Sequence, residues 1–169
     1  GRTGTVNDLI SLGSSMGFEV TIAELMETEI GQVSSTSIRN ALAEGRPTDA
    51  AKQLGHWHRI EGVVIGGEQR GRELGYPTAN MSLDDLHLPH LGVYAVLVDV
   101  LNGEHVGSYN GVASLGVRPM FGENTPNLET FIFDFSGDLY GATLSIALVD
   151  FMRPEIKFDS LESLITQMD

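Results

Sequence analysis

A glycine-rich polar run in the first half of the chain combines residue types that suit phosphate chemistry. Glycine lets a backbone approach a ligand closely, and arginine guanidinium groups match phosphate oxygens. Thr78 and Asn80, two residues apart on an extended segment, point to the same side. Because hard cations take oxygen ligands, Thr78 is also the candidate Mg²⁺ ligand, with Asn80 beside it. The candidate phosphate-binding residues are Gly67, Arg70, Gly71, Arg72, Thr78 and Asn80.

A simpler interpretation of the same run is a surface turn followed by an edge strand. The run lacks the Gly-Lys-Ser/Thr that opens a helix in a Walker A loop, and it is not a dinucleotide-binding fingerprint. Taken alone, the glycines and arginines therefore leave both interpretations open.

Glu129 is the candidate catalytic base, in the run Asn127-Leu128-Glu129-Thr130-Phe131. Strand alternation predicts that it shares a face with Phe131, Phe133 and Phe135. A carboxylate on an aromatic face is costly unless it is paired or lies at an open mouth. Glu129 is therefore either a proton acceptor in a cleft or the exposed end of a strand.

Composition limits the classes of protein to consider. The 169 residues are 41% hydrophobic, contain no cysteine and carry a formal net charge of −13. Such a chain can form a core, and the lack of cysteine excludes disulfides and zinc–thiolate sites and favours a cytoplasmic location. The acidic balance argues against nucleic-acid binding. No apolar run reaches the roughly 18 residues that would span a membrane.

The predicted secondary structure differs between the first 55 residues and the rest of the chain. Residues 1–55 predict helices with one strand, an order that fits the end of an α/β domain. The predicted elements are a helix from Val6 to Met16 closed by Gly17, a strand from Phe18 to Ile22, a helix opened by Ser34 and closed by Gly45, and a short helix capped by Thr48-Asp49 and ended by Gly55.

From His56 onward, strands alternate with turns, which predicts an antiparallel barrel or sandwich. A final helix is predicted from Asp159, with an apolar stripe ending at Met168. The clearest predicted strands are Ile60–Ile65, Val93–Leu101, His105–Leu115, Leu128–Phe135 and Ala142–Phe151.

Several of these runs together resemble a known family. The run Gly62-x-Val64-x-x-Gly67-x-x-Arg70-Gly71-Arg72-x-Leu74-Gly75-x-Pro77-Thr78-Ala79-Asn80 resembles the signature of riboflavin kinases. Glu129-Thr130, Asp134-Phe135 and Asp138-Leu139-Tyr140-Gly141 resemble the setting of their catalytic glutamate. Ser34-Ser35-Thr36-x-Ile38-Arg39 resembles a motif in the adenylyltransferase half of bifunctional riboflavin kinase/FAD synthetases, whose His-x-Gly-His motif this sequence lacks.

The resemblance implies a mainly β fold: a six-stranded antiparallel Greek-key-like barrel with a C-terminal helix, preceded by a partial α/β nucleotidyltransferase segment. Residues 1–55 would be the remnant of an FMN adenylyltransferase domain that cannot itself adenylylate FMN. Residues 56–169 would be the riboflavin kinase domain. The expected partner besides small molecules is the missing N-terminal portion of the same chain.

The implied reaction transfers the ATP γ-phosphate to the riboflavin 5′-hydroxyl, giving FMN, with Mg²⁺ and with Glu129 as base. Arg153 would approach the flavin or a phosphate, although it could equally form a surface pair with Glu155 or Asp150. One alternative is a non-catalytic flavin- or nucleotide-binding barrel. A metal site built from histidines is a weaker alternative, with candidates His56, His58, His87, His90 and His105.

Overall fold

The structure is a computed structural model that describes residues 3–66, 78–83, 86–120 and 123–155. The chain divides into two compact units, Gly1–Val33 and Ser34–Asp169. The predicted domain boundary between residues 55 and 56 stays a prediction, as does the assignment of residues 1–55 to a nucleotidyltransferase.

The first unit contains helix α1, Val6–Met16, as the sequence predicts. Thr5 and Asp8 form a capping box at its start, and Gly17 ends it in the left-handed region with φ of 78°. A two-stranded ribbon follows, with β1 at Glu27–Thr28 and β2 at Gly31–Gln32.

The predicted strand from Phe18 to Ile22 is wrong, because that segment has no strand conformation. It turns back on α1 instead: the Phe18 amide donates to the Gly13 carbonyl oxygen at 3.0 Å. The space beside Gly13 is occupied by Val20 and Phe18, so a Cβ there would collide with both. Alternation alone does not make a strand, which also needs a neighbour to pair with.

The second unit begins with two short helices, α2 at Ser35–Ala43 and α3 at Pro47–Leu54. Ser34 caps α2 as predicted, and its side chain accepts from the Ser37 amide. α3 starts slightly earlier than the predicted Thr48-Asp49 cap, because Pro47 occupies its first turn, where a missing N–H costs nothing.

Six strands form one antiparallel sheet in the order β3-β8-β5-β6-β7-β4. The Ile65 amide donates to the Asn80 carbonyl oxygen at 2.8 Å, which brings the two edges together and nearly closes a barrel. The predicted antiparallel barrel is confirmed. The strands are β3 Arg59–Val63, β4 Thr78–Ser82, β5 Gly92–Val100, β6 Gly107–Met120, β7 Glu123–Ile132 and β8 Thr143–Pro154.

The barrel interior is filled by side chains that alternate along the strands. Leu144, Ile146 and Leu148 of β8 are fully buried, as their spacing predicts, and they pack with Leu115 and Leu128. The predicted C-terminal helix from Asp159 lies outside the described residues. The described helices are 8 to 11 residues long, and none of them has the length and apolar character to cross a membrane.

Candidate active site

The register between β4 and β7 brings the main candidate residues together. Asn80 lies opposite Glu129, and Thr78 lies opposite Phe131. Residues directly opposite on antiparallel strands have Cβ atoms roughly 5 Å apart. The intervening residues of both strands face the core, so Thr78, Asn80 and Glu129 share the outer face of the barrel.

A chain of hydrogen bonds links these residues. The Asn80 Nδ2 group donates to the Thr78 carbonyl oxygen at 3.3 Å. The Asn127 Nδ2 group donates to Asn80 Oδ1 at 3.1 Å and reaches Glu129 Oε1 at 3.5 Å. Asn80 and Asn127 are 8% and 5% exposed, whereas Glu129 is half-buried, so the carboxylate lies at the accessible end of a sheltered polar cluster.

This donor set suits a hard cation. The Thr78 hydroxyl and the Asn80 amide oxygen are both oxygen ligands on one face, and Mg²⁺ commonly takes a few protein oxygens together with phosphate oxygens. The residues present therefore fit Mg²⁺ bound with a nucleotide. The glycine-loop candidates Gly67, Arg70, Gly71 and Arg72 lie outside the described residues.

Arg153 is not brought next to this cluster. It lies on β8 opposite Val93 of β5, while Val93 lies opposite Ser114 of β6, and Ser114 lies opposite Glu129. Three strand spacings, on the order of 14 Å, therefore separate the backbones at Arg153 and Glu129. The Arg153 Nη1 group donates to the Pro154 carbonyl oxygen at 3.2 Å. A flavin contact for Arg153 stays a prediction.

The aromatic face predicted around Glu129 is correct only in part. Phe131 and Phe133 contact each other edge to face, with ring centroids 5.8 Å apart. Phe135 leaves this face because β7 ends at Ile132 and the chain turns at Asp134, where φ is 53°. Its ring packs instead against Tyr109, at 5.3 Å between centroids.

The histidines near the helices have structural partners. The His90 amide donates to the Leu42 carbonyl oxygen at 2.8 Å, and the His90 ring lies 3.1 Å from the Ala43 carbonyl oxygen. These contacts satisfy carbonyl groups at the end of α2. Burial, with added repulsion from His87 and His56, lowers the pKa of His58. In the described parts of the chain, no group of three or more His, Asp or Glu side chains is placed to hold a metal.

Asn127 is the site residue that the sequence interpretation missed. Its two-residue spacing from Glu129 puts both side chains on the same face of a strand, and that signal was available. What the sequence does not show is the diagonal contact to Asn80, because that contact depends on the register of β4 against β7.

Comparison with known proteins decides the family. The sequence profile of the flavokinase family, described as riboflavin kinase, matches residues 54–169. The chain belongs to the riboflavin kinase family. The matched region contains Thr78, Asn80, Asn127 and Glu129, so the polar cluster is part of the family domain.

Curated relatives of this riboflavin kinase family member are about twice as long. A bifunctional riboflavin kinase/FMN adenylyltransferase from Listeria monocytogenes is 40% identical over 154 residues, covering 90% of this chain and 48% of that protein. One of the same description from Pseudomonas fluorescens is 40% identical over 169 residues, covering 99% of this chain and 53% of that protein. The chain spans about half the length of these relatives.

A solved structure agrees with the fold. A crystal structure described as a macrolide-efflux protein from Streptococcus pneumoniae is 37% identical, with a TM-score of 0.82. The match covers 98% of this chain and 52% of that one. The efflux description belongs to that protein and is not carried over to this chain.

Proposed function

We propose that this chain catalyses ATP-dependent phosphorylation of the riboflavin 5′-hydroxyl, giving FMN and ADP. The observation that supports this most is the placing of Glu129 opposite Asn80, with Thr78 two residues along the same face. A kinase acting on an alcohol needs bound phosphates and a proton acceptor close together. Membership of the riboflavin kinase family supplies the substrate class.

In this proposal Glu129 accepts the proton. The riboflavin 5′-oxygen forms a bond to the γ-phosphorus of ATP, and the bond from that phosphorus to the β,γ-bridging oxygen breaks. The hydroxyl proton moves to the Glu129 carboxylate, and ADP leaves with the bridging oxygen. The half-buried position of Glu129 leaves its carboxylate reachable by a substrate, and general-base catalysis requires such reach.

Thr78 and Asn80 supply the metal-binding side of the proposed site. Mg²⁺, when bound there with ATP, would neutralise phosphate charge and stabilise the charge that develops during transfer. Thr78 would contribute its hydroxyl, and Asn80 would contribute its amide oxygen from a side chain already fixed by two hydrogen bonds. Gly67 and Gly71 are proposed to let the backbone cover the phosphates, and Arg70 and Arg72 are proposed to neutralise phosphate charge.

The remaining assignments complete the proposal. Arg153 would contact the flavin or a phosphate, as the family resemblance implies, from a strand three positions away in the sheet. Residues 1–55 would be part of an FMN adenylyltransferase domain, as the names of the relatives suggest. A cytoplasmic location would fit the absence of cysteine in the 169 residues and the use of ATP.

Formation of FMN from riboflavin and Mg-ATP by the 169-residue chain tests the proposal directly. We expect time-dependent FMN production that stops when Mg²⁺ is chelated. Substituting Glu129→Gln should lower kcat by about 10²–10⁴-fold, because the amide keeps the shape and cannot accept the proton. Riboflavin binding, measured by fluorescence quenching, should change little in that variant.

Two other outcomes would contradict different parts of the proposal. Binding of riboflavin and ATP by the unaltered chain without any FMN would favour a non-catalytic flavin- or nucleotide-binding barrel. Near-normal turnover by Glu129→Gln would remove Glu129 from its assigned role while leaving the kinase reaction in place.

A further inference from the structure

Asn127 lies at the centre of the polar cluster, and its side chain touches both halves of the proposed site. Its Nδ2 group is 3.1 Å from Asn80 Oδ1 and 3.5 Å from Glu129 Oε1. Asn80 belongs to the metal- and phosphate-binding side, and Glu129 is the proposed proton acceptor. One amide group of Asn127 therefore faces two residues with different tasks.

The orientation of this amide follows from its neighbours. The Asn80 amide is fixed first, because its Nδ2 group donates to the Thr78 carbonyl oxygen. That contact leaves Asn80 Oδ1 directed at Asn127, and a carboxylate oxygen of Glu129 lies on the other side. Both neighbours are acceptors, so Asn127 must present its NH₂ group, which has two donors, to satisfy them.

This orientation has a cost that a purely structural asparagine would avoid. Asn127 Oδ1 is buried and, among the described residues, finds no hydrogen-bond donor. An unsatisfied buried acceptor destabilises the folded state. The unsatisfied oxygen belongs to the same amide whose NH₂ group donates toward Glu129 and Asn80. Local destabilisation of this kind is typical of residues that hold a functional group in place.

We propose that Asn127 is a positioning residue that holds the Glu129 carboxylate and the Asn80 amide oxygen in one fixed relation. This inference rests on the proposed kinase function. Asn127 does not touch the reacting atoms. It fixes the orientation of the Glu129 carboxylate relative to the residues that bind phosphate, and so the direction from which the carboxylate approaches the substrate hydroxyl. Small errors in such an alignment lower reaction rates strongly.

Two variants of Asn127 test the inference in the 169-residue chain. Asn127→Asp keeps the shape, removes the donors and places a second carboxylate beside Glu129. Asn127→Leu keeps a similar volume with no charge. Both should lower kcat on the order of 10–100-fold, the value of a hydrogen bond to a charged group. The KM for riboflavin should stay within about two-fold, since Asn127 is assigned no contact with the flavin.

Asn110→Asp is the matched control. It makes the same chemical change on an exposed residue of β6 in the same sheet, four residues from Ser114, the residue opposite Glu129. This variant should retain full turnover. Its unfolding midpoint, compared with those of the two Asn127 variants, shows whether any lost activity follows from lost folding.

A double-mutant cycle distinguishes positioning from general support. If Asn127 acts in part through Glu129, then Asn127→Leu should lower kcat by a smaller factor in a Glu129→Gln background than in the unaltered chain. Additive losses would overturn the inference, and so would full turnover by both Asn127 variants. Those results would leave the kinase proposal intact, whereas absence of FMN formation by the unaltered chain would refute the kinase proposal itself.

Discussion

The two faces of β7 differ in what they hold and in what their residues do. On the inner face, Leu128 and Ile132 are buried in the barrel core. On the outer face, Asn127 and Glu129 join Asn80 in a polar cluster. The same ten-residue strand therefore contributes to packing on one side and to the proposed chemistry on the other.

Substitutions on the two faces should therefore affect different properties: stability on the inner face and the proposed activity on the outer face. Adjacent side chains of a strand point to opposite faces, so a substitution at 128 and one at 129 act on different properties. A rigid core face holds the outer residues in place, which is what a proposed active site on a strand requires. Three substitutions on the inner side test how complete the separation is.

The largest expected effect comes from Leu128→Ala. Leu128 is fully buried, and truncation leaves a cavity in the barrel. We expect a loss of about 3 kcal/mol in the free energy of unfolding, measured by urea denaturation. Glu129→Gln, one residue away, should keep the unfolding midpoint of the unaltered chain. An equal loss of stability in both variants would contradict the separation of the two faces.

A smaller effect concerns Tyr94 of β5, whose ring is in the same core. Burial raises the pKa of Tyr94 to about 12, and its hydroxyl donates to the His90 carbonyl oxygen. The unfolded chain releases this proton near pH 10. The folded state keeps it, so this contribution to stability is present below pH 10 and is lost between about pH 10 and 12.

Comparing Tyr94→Phe with the unaltered chain measures this contribution. Between pH 9.5 and 12 the unaltered chain should lose about 2 kcal/mol more unfolding free energy than Tyr94→Phe loses. The exposed Tyr140→Phe makes the same chemical change outside the core and controls for the substitution itself. Parallel curves for all three proteins would show that the Tyr94 hydroxyl titrates normally.

The smallest expected effect is an increase in stability, from Thr130→Val. Thr130 lies on the inner face of β7, fully buried, and its hydroxyl has no partner among the described residues. Thr130→Val keeps the shape and removes the unsatisfied group, so the free energy of unfolding should rise by about 1 kcal/mol.

Thr143→Val supplies the matched control for Thr130→Val. The Thr143 hydroxyl accepts a hydrogen bond from Asn102 Nδ2 at 3.1 Å, so removing it should lower stability. Thermal unfolding of both variants gives the comparison. If Thr130→Val also lowers the unfolding temperature, the Thr130 hydroxyl makes a bond that the described residues do not account for.

Much of the fold could be predicted from local pattern. Gly17 and Ser34 mark helix ends because their backbone and side-chain chemistry is local. Leu144, Ile146 and Leu148 identify the core-facing side of β8 by alternation, although Ser145 and Ala147 between them are buried as well. Phe18–Ile22 shows the same kind of pattern and forms no strand, because whether a segment pairs depends on neighbours that lie elsewhere in the chain.

The candidate site also has a part that local sequence predicts and a part that depends on strand pairing. Thr78, Asn80 and Glu129 could be selected as residue types in recognisable runs, and the β4–β7 register brings them together. The role inferred for Asn127 depends on a diagonal contact across that register. The placing of Phe135 depends on the turn at Asp134. Both are consequences of pairing and backbone direction that no local run of sequence specifies.

The bridge between Ile65 and Asn80 closes the barrel at the same residue that the proposed site uses to bind phosphate and metal. Among the described residues this is an isolated bridge, and local opening costs least where two strands share few backbone hydrogen bonds. Occupancy of the site should therefore slow deuterium uptake at the Ile65 amide, which donates that closing bond. Exchange at the Ile65 amide would thus report nucleotide binding through its hydrogen bond to the Asn80 carbonyl oxygen.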